Sequence, residues 1–128
     1  IKAHLTDFES PRVHFERGKQ LIKNLKYIKK LAWIASGDMS HRLKEDGPYG
    51  LHPSGPKFDR EFIERLKKKD IQGILNLPER LVEEAGECGL RSFCMLLGAL
   101  EGAKVSWKPE ILSHEGPFGV GYLVARLL

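Results

Sequence analysis

The chain has 128 residues, 41% hydrophobic and 30% charged, which is one domain's worth and excludes a disordered segment. Its apolar runs are too short to span a bilayer and no secretory apolar region stands out, so a cytoplasmic chain with no membrane partner is expected. The net charge of +4 comes mostly from residues 12–30 and from Lys67-Lys68-Lys69, without interleaved aromatic side chains, so no nucleic-acid partner is expected. Cys88 and Cys94 cannot build a disulfide framework, and a reducing setting follows.

The chain begins with Ile1, and Ile1–Leu5 reads as the tail of a strand, as in a piece of a longer polypeptide. Ser10-Pro11 is a helix start, with serine as N-cap and proline at the first helical position. Leu21, Ile22, Leu25 and Ile28 keep helical spacing through Lys29. The run Leu31-Ala32-Trp33-Ile34-Ala35 follows and reads as a buried strand, the second half of a layered helix–strand unit. From Lys44 to Lys57, Gly47, Pro48, Gly50, Pro53, Gly55 and Pro56 predict a long shaped loop. Asp59 is positioned to cap a helix running to about Lys69, with Phe58 and Ile63 as a hydrophobic staple.

Pro78 predicts a short helix over Glu79–Ala85, acidic in its first turn and ended by Gly86. Leu90–Leu100 is apolar nearly all round and reads as a central buried helix stopped by Gly102. Lys104–Lys108 and Ile111–Ser113 read as short strands divided by Pro109. Val120–Leu127 reads as a longer strand reached through the turn Gly116-Pro117-Phe118-Gly119. The expected fold class is α/β: three layers, with a central mixed sheet flanked by helices.

Ser36-Gly37-Asp38-Met39-Ser40-His41 carries the strongest chemical signal. Side chains at the carboxyl end of a strand in an α/β protein open into the ligand crevice. An imidazole there moves protons near neutral pH, since its ordinary pKa is about 6.5. The competing reading is a polar loop in which His41 bonds to backbone. Gly86-Glu87-Cys88-Gly89 is the second signal. If Leu90 starts a helix, Glu87 and Cys88 lie at its amino terminus, which favours carboxylate and thiolate, and either could ligate a metal. Against that, Glu87 could be a solvated cap and Cys88 a small packed hydrophobe. His52 in the breaker-rich loop could reach a pocket or simply decorate the surface, and His114 reads with Glu115 as a half-buried polar pair. His4 and His14 have no ligand partner at short spacing. Arg42 and Arg91 could hold a substrate anion or pair with surface carboxylates.

Three segments in order carry a resemblance. Ala35-Ser36-Gly37-Asp38-Met39-Ser40-His41-Arg42-Leu43 resembles the strand-end histidine motif of class III extradiol ring-cleavage dioxygenases, the LigB type. Gly86-Glu87-Cys88-Gly89-Leu90-Arg91-Ser92 and Glu115-Gly116-Pro117-Phe118-Gly119-Val120-Gly121-Tyr122 resemble the branch allied to the Memo proteins, which is often associated with an AMMECR1 domain. The resemblance runs from about Gly18 onward, and Gly47-Pro48-Tyr49-Gly50 and Gly55-Pro56-Lys57-Phe58-Asp59 fit it.

The resemblance implies a non-haem Fe(II) site of two histidines and one carboxylate, open to an aromatic diol and O2. It makes His41 the catalytic acid/base. Glu87 is the nearest match to the metal carboxylate, with Cys88 as the alternative ligand. Ser36, Asp38, Ser40, His52 and Arg91 are the expected substrate-pocket residues. Nothing in the sequence matches the family's two amino-terminal metal histidines. Residues 1–128 therefore resemble a single domain forming the C-terminal portion of a LigB-type catalytic domain, with the N-terminal half as its first partner. Alone, the chain is expected to be inactive and to hold no Fe(II) tightly. An AMMECR1-like domain and a homo-oligomer are compatible further partners. The alternative function is a Memo-like, non-enzymatic binding or scaffold protein with a vestigial metal pocket.

Overall fold

In the computed structural model, which describes residues 9–128, Ser10 starts a helix as its chemistry dictates. Its hydroxyl accepts from the Val13 amide at 3.4 Å, and Pro11 fills the first position, where no amide hydrogen is needed. The elements in order are α1 (Pro11–Asn24), α2 (Ser54–Lys67), α3 (Ile71–Leu75), α4 (Glu79–Ala85), α5 (Leu90–Ala103), β1 (Glu110–Glu115) and β2 (Tyr122–Arg126). The architecture is α/β. Its sheet is smaller than the central mixed sheet expected, a single antiparallel pair among the described residues. No helix of the described residues is long and apolar enough to cross a membrane. The reading of Ile1–Leu5 as a strand, and His4 with it, lies outside the described residues. The chain divides into two compact units, one comprising residues up to Gly37 with Gly89–Ser106, the other Asp38–Cys88 with Trp107–Leu128.

The first unit is built on α1 against α5. Phe15, Leu90, Cys94, Leu97 and Leu100 are buried in it. Glycines let the two backbones meet: a Cβ on Gly18 would lie 1.9 Å from the Met95 carbonyl oxygen, and one on Gly98 1.9 Å from that of Phe15. Gly102 belongs to the same seam, where a Cβ would come within 2.8 Å of Ile22 and of the Lys19 carbonyl. It therefore packs inside α5 and does not stop it; the helix ends at Lys104, in the left-handed region at φ 54°. Gly98→Ala is expected to destabilise the protein by about 1–3 kcal/mol, since neither carbonyl-bearing backbone can move cheaply. A urea transition with a lower midpoint and an unchanged slope checks this.

Two expectations fail in this unit. α1 ends at Asn24 rather than Lys29, and Tyr27 and Ile28 beyond it are 82% and 45% exposed, with no burial to extend the helix. Leu31–Ala35 is not a strand. No described residue pairs with its backbone, and Leu31 and Ile34 stand exposed. A strand needs a neighbour to take its amide and carbonyl groups.

In the second unit α2 begins at Ser54, inside the breaker-rich stretch, and not at Asp59. Gly55 and Pro56 fall in its first turn, where proline's missing donor does no harm. Phe58, Phe62, Ile63 and Leu66 form the buried stripe. α3, capped by Asp70 accepting from Gly73 N at 2.8 Å, has no counterpart among the elements read from sequence. α4 matches its predicted bounds and ends on Gly86 at φ 64°. Ser54 Oγ donates to Glu84 at 2.6 Å and Arg80 Nε donates to it at 2.7 Å, which holds the Glu84 carboxyl below its ordinary range and ties α2 to α4. β1 and β2 pair with an irregularity between Ile111 and Ser113. Lys104–Lys108 forms no strand, although Lys108 N donates to the Leu127 carbonyl at 3.1 Å.

Candidate functional site

The segment carrying His41 is irregular, yet backbone pins it on both sides. On the hairpin side Met39 N donates to Gly121 O at 2.8 Å, Gly121 N to Ser40 O at 2.7 Å and Leu43 N to Gly119 O at 3.0 Å. On the other side His41 N donates to Ala85 O at 3.1 Å, at the end of α4, and Cys88 N to Asp38 O at 3.4 Å. Residues 38–43 thus lie between two neighbours as a central strand would. His41 consequently has a defined direction, as its proposed chemistry requires.

A third anchor comes from α2. The Asp59 carboxylate, 1% exposed, accepts from Ser40 N at 2.8 Å and pairs with His114 Nε2 at 2.8 Å. Burial raises the Asp59 carboxyl above its ordinary range, although the Ser40 amide, His114 and His41 all oppose that. His114 therefore partners Asp59, where the sequence suggested Glu115. Sequence reasoning missed Asp59 as an anchor. The available signal was an acidic residue among Phe58, Phe62, Ile63 and Leu66, the apolar stripe of an amphipathic helix.

Three of the sequence candidates converge. His41 Nε2 faces Asp38 Oδ2 at 3.6 Å, and Asp38 N donates to Cys88 Sγ at 3.2 Å. One donor atom from each of Asp38, His41 and Cys88 lies within 4.8 Å of the other two. His41 Nε2 is buried and makes no hydrogen bond among the described residues. Tyr49 stacks on the imidazole, ring centres 5.2 Å apart and planes inclined by 29°, while staying 59% exposed itself. Burial, with the nearby charges of Asp38 and Glu87, pushes the Cys88 thiol above its ordinary value against the opposing Asp38 amide. The thiolate-favouring effect expected of a helix start does not prevail.

The remaining candidates lie differently. Ser40 is fully buried; its hydroxyl donates to Ala85 O at 2.9 Å and accepts from Arg42 N at 3.0 Å, so it clasps backbone and is closed to a ligand. His52 Nδ1 accepts from Ser54 N at 3.2 Å and helps start α2. Glu87 is half-buried and outside the three-donor group. Ser36 and Arg91 belong to the other unit, where Arg91 Nε donates to the Glu9 carbonyl at 2.9 Å. Arg42 reaches the Glu84 carbonyl at 3.4 Å.

A family model described as the catalytic LigB subunit of aromatic ring-opening dioxygenase matches residues 3–125. The chain belongs to the LigB family. Protein CA_C1420 of Clostridium acetobutylicum is 56% identical to it over 95 residues, 74% of this chain and 20% of that protein. The chain thus spans about a fifth of the length of this curated relative. The family is one of aromatic substrates and O2. The resemblance implies iron held by two histidines and a carboxylate. The three donors grouped among this LigB-family chain's described residues are one imidazole, one carboxylate and one cysteine sulfur, so by themselves they do not fit that ligand set.

Proposed function

We propose that this chain supplies the proton-transfer side of an extradiol-type site, with His41 Nε2 exchanging a proton with an aromatic diol during O2-dependent ring opening. The observation that carries the reading is the convergence of Asp38, His41 and Cys88 around an Nε2 that is buried and makes no hydrogen bond among the described residues. Asp38 Oδ2 stands 3.6 Å from Nε2, Tyr49 covers one ring face, and Ser40 and Asp59 keep the segment rigid. The metal histidines of such a site would come from elsewhere in the whole protein, with Cys88 or Glu87 as this chain's ligand. In this reading residues 1–128 are the C-terminal portion of a cytoplasmic LigB-type catalytic domain. The exposed apolar run Leu31–Ala35 supports that, because it has the composition of a strand awaiting neighbours.

A second reading, a Memo-like binding protein without oxygen chemistry, is favoured by the grouping of Cys88, not Glu87, with His41. Oxygen uptake by the complete protein on a panel of catechols separates the two. Consumption coupled to ring opening supports the first reading, and a folded, metal-loaded protein inert towards every catechol supports the second. The 128-residue chain alone is expected to be inactive and to take up no Fe(II) stoichiometrically at micromolar concentration under anaerobic calorimetry. A tight one-to-one Fe(II) site on it would contradict this.

A further inference from the structure

Asp59 is a carboxylate set where water barely reaches it. It is 1% exposed, and the Gly121 backbone stands so close that an added Cβ would lie 2.3 Å from Oδ2. An ionised carboxyl in such a place is unfavourable unless donors meet its oxygens. Ser40 N meets Oδ1 at 2.8 Å, from the residue next to His41. His114 Nε2, on β1, meets Oδ2 at 2.8 Å, and because a carboxylate only accepts, that nitrogen carries the hydrogen. Burial alone drives the Asp59 carboxyl towards its neutral form, and the His114 contact opposes it. The His114 side chain is 31% exposed, so the donor that holds the buried carboxylate is itself reachable from solvent.

The three residues link three parts of the second unit: β1 carries His114, the buried stripe of α2 carries Asp59, and segment 38–43 carries Ser40 and His41. In that segment Met39 N, His41 N and Leu43 N donate to backbone carbonyls of their neighbours, whereas Ser40 N depends on a side chain. The anchor beside His41 is therefore a carboxylate whose state a second side chain sets. We propose that His114 is a positioning residue for His41, acting through Asp59 and Ser40 N to hold the direction of the imidazole. The assignment rests on the proton-transfer role given to His41, although the linkage exists whether or not ring opening occurs. With His114 removed, the carboxylate keeps only Ser40 N among the described donors. It then takes up a proton or turns towards water, and Ser40 N loses a charged acceptor. The residue after Ser40 gains freedom, and proton transfer suffers from small misplacements of the acting group. His114 contacts neither substrate nor the moving proton, so its loss acts on kcat and leaves KM nearly unchanged.

Steady-state oxygen uptake by the complete protein on catechols, together with amide hydrogen exchange read by mass spectrometry, tests the proposal. His114→Ala is expected to lower kcat by about 10–100-fold with little change in KM. His114→Gln is expected to restore most of that loss, because its amide nitrogen reaches the place of Nε2 and donates to Asp59 as the imidazole does. Exchange in residues 38–43 should quicken in His114→Ala, return to the wild-type rate in His114→Gln, and stay unchanged across α2 and α4 in both. Where circular dichroism shows that His114→Ala fails to fold, His114→Asn replaces it, since its shorter side chain stops short of the Asp59 oxygen. Wild-type turnover in His114→Ala, or a His114→Gln as impaired as the alanine variant, overturns the positioning role. Exchange that quickens over the whole second unit of a folded variant overturns it equally. A wild-type protein that consumes no oxygen on any catechol removes the ring-opening reading alone. The exchange pattern then decides whether His114 orients the His41 segment, and unchanged exchange overturns it.

Discussion

Replacing His41 by alanine is expected to lower turnover of the complete protein on an aromatic diol by about 10²–10⁴-fold, the usual contribution of a positioned acid/base. KM is expected to change little, because the imidazole acts on a proton and does not bear the main weight of binding. Asp38→Asn should have a smaller effect, since its carboxylate stands 3.6 Å from Nε2 and transfers no proton itself. Steady-state oxygen uptake across pH checks both variants. A His41→Ala protein with undiminished turnover would remove the acid/base role.

Asp59→Ala is expected to be the most damaging single change to the second unit's fold, by about 2–4 kcal/mol. It strips the partner from Ser40 N, which is buried, and from His114 Nε2, and empties a space that Gly121 is built to respect. A Cβ on Gly121 would lie 2.3 Å from Asp59 Oδ2 and 2.9 Å from Met39 Cβ. Thermal or urea melts measure the loss. Asp59→Asn separates shape from charge. Burial raises the Asp59 carboxyl in the folded state, so folding binds that proton more tightly than the unfolded chain does. Its stabilising contribution is complete below the ordinary carboxylate range and is lost as pH rises through the raised value. The stability of wild type relative to Asp59→Asn should therefore fall as pH rises through that window. A difference independent of pH would mean that the charge is better compensated than its burial indicates.

The parts of this protein legible in its sequence are those governed by local chemistry. Ser10-Pro11 and Pro78…Gly86 fixed helix ends because capping is decided within a turn of chain. The His41 and Cys88 segments were singled out by residue type at chain positions that the fold then brings together. What failed were decisions made by distant partners. Leu31–Ala35 has a strand's composition, but no described segment completes its ladder. Gly102 resembles a helix stop until α1 packs against it. Asp59 resembles a cap while the helix start is set at Asp59; once Ser54 starts it, the same carboxylate falls on the buried stripe and must find Ser40 and His114. Ser40 was a plausible pocket hydroxyl by motif, and burial turned it into a backbone clasp.

The proposal that His41 and Cys88 share one aromatic-binding site is tested by the alkylation rate of Cys88 in the complete protein, followed by mass spectrometry under anaerobic conditions. Cys94 is buried and serves as the silent internal reference. A small alkylating reagent should modify Cys88 slowly, as its raised thiol pKa dictates, and more slowly still as catechol is added, the protection tracking saturation. A Cys88 that reacts at one rate with and without bound catechol would contradict a shared site.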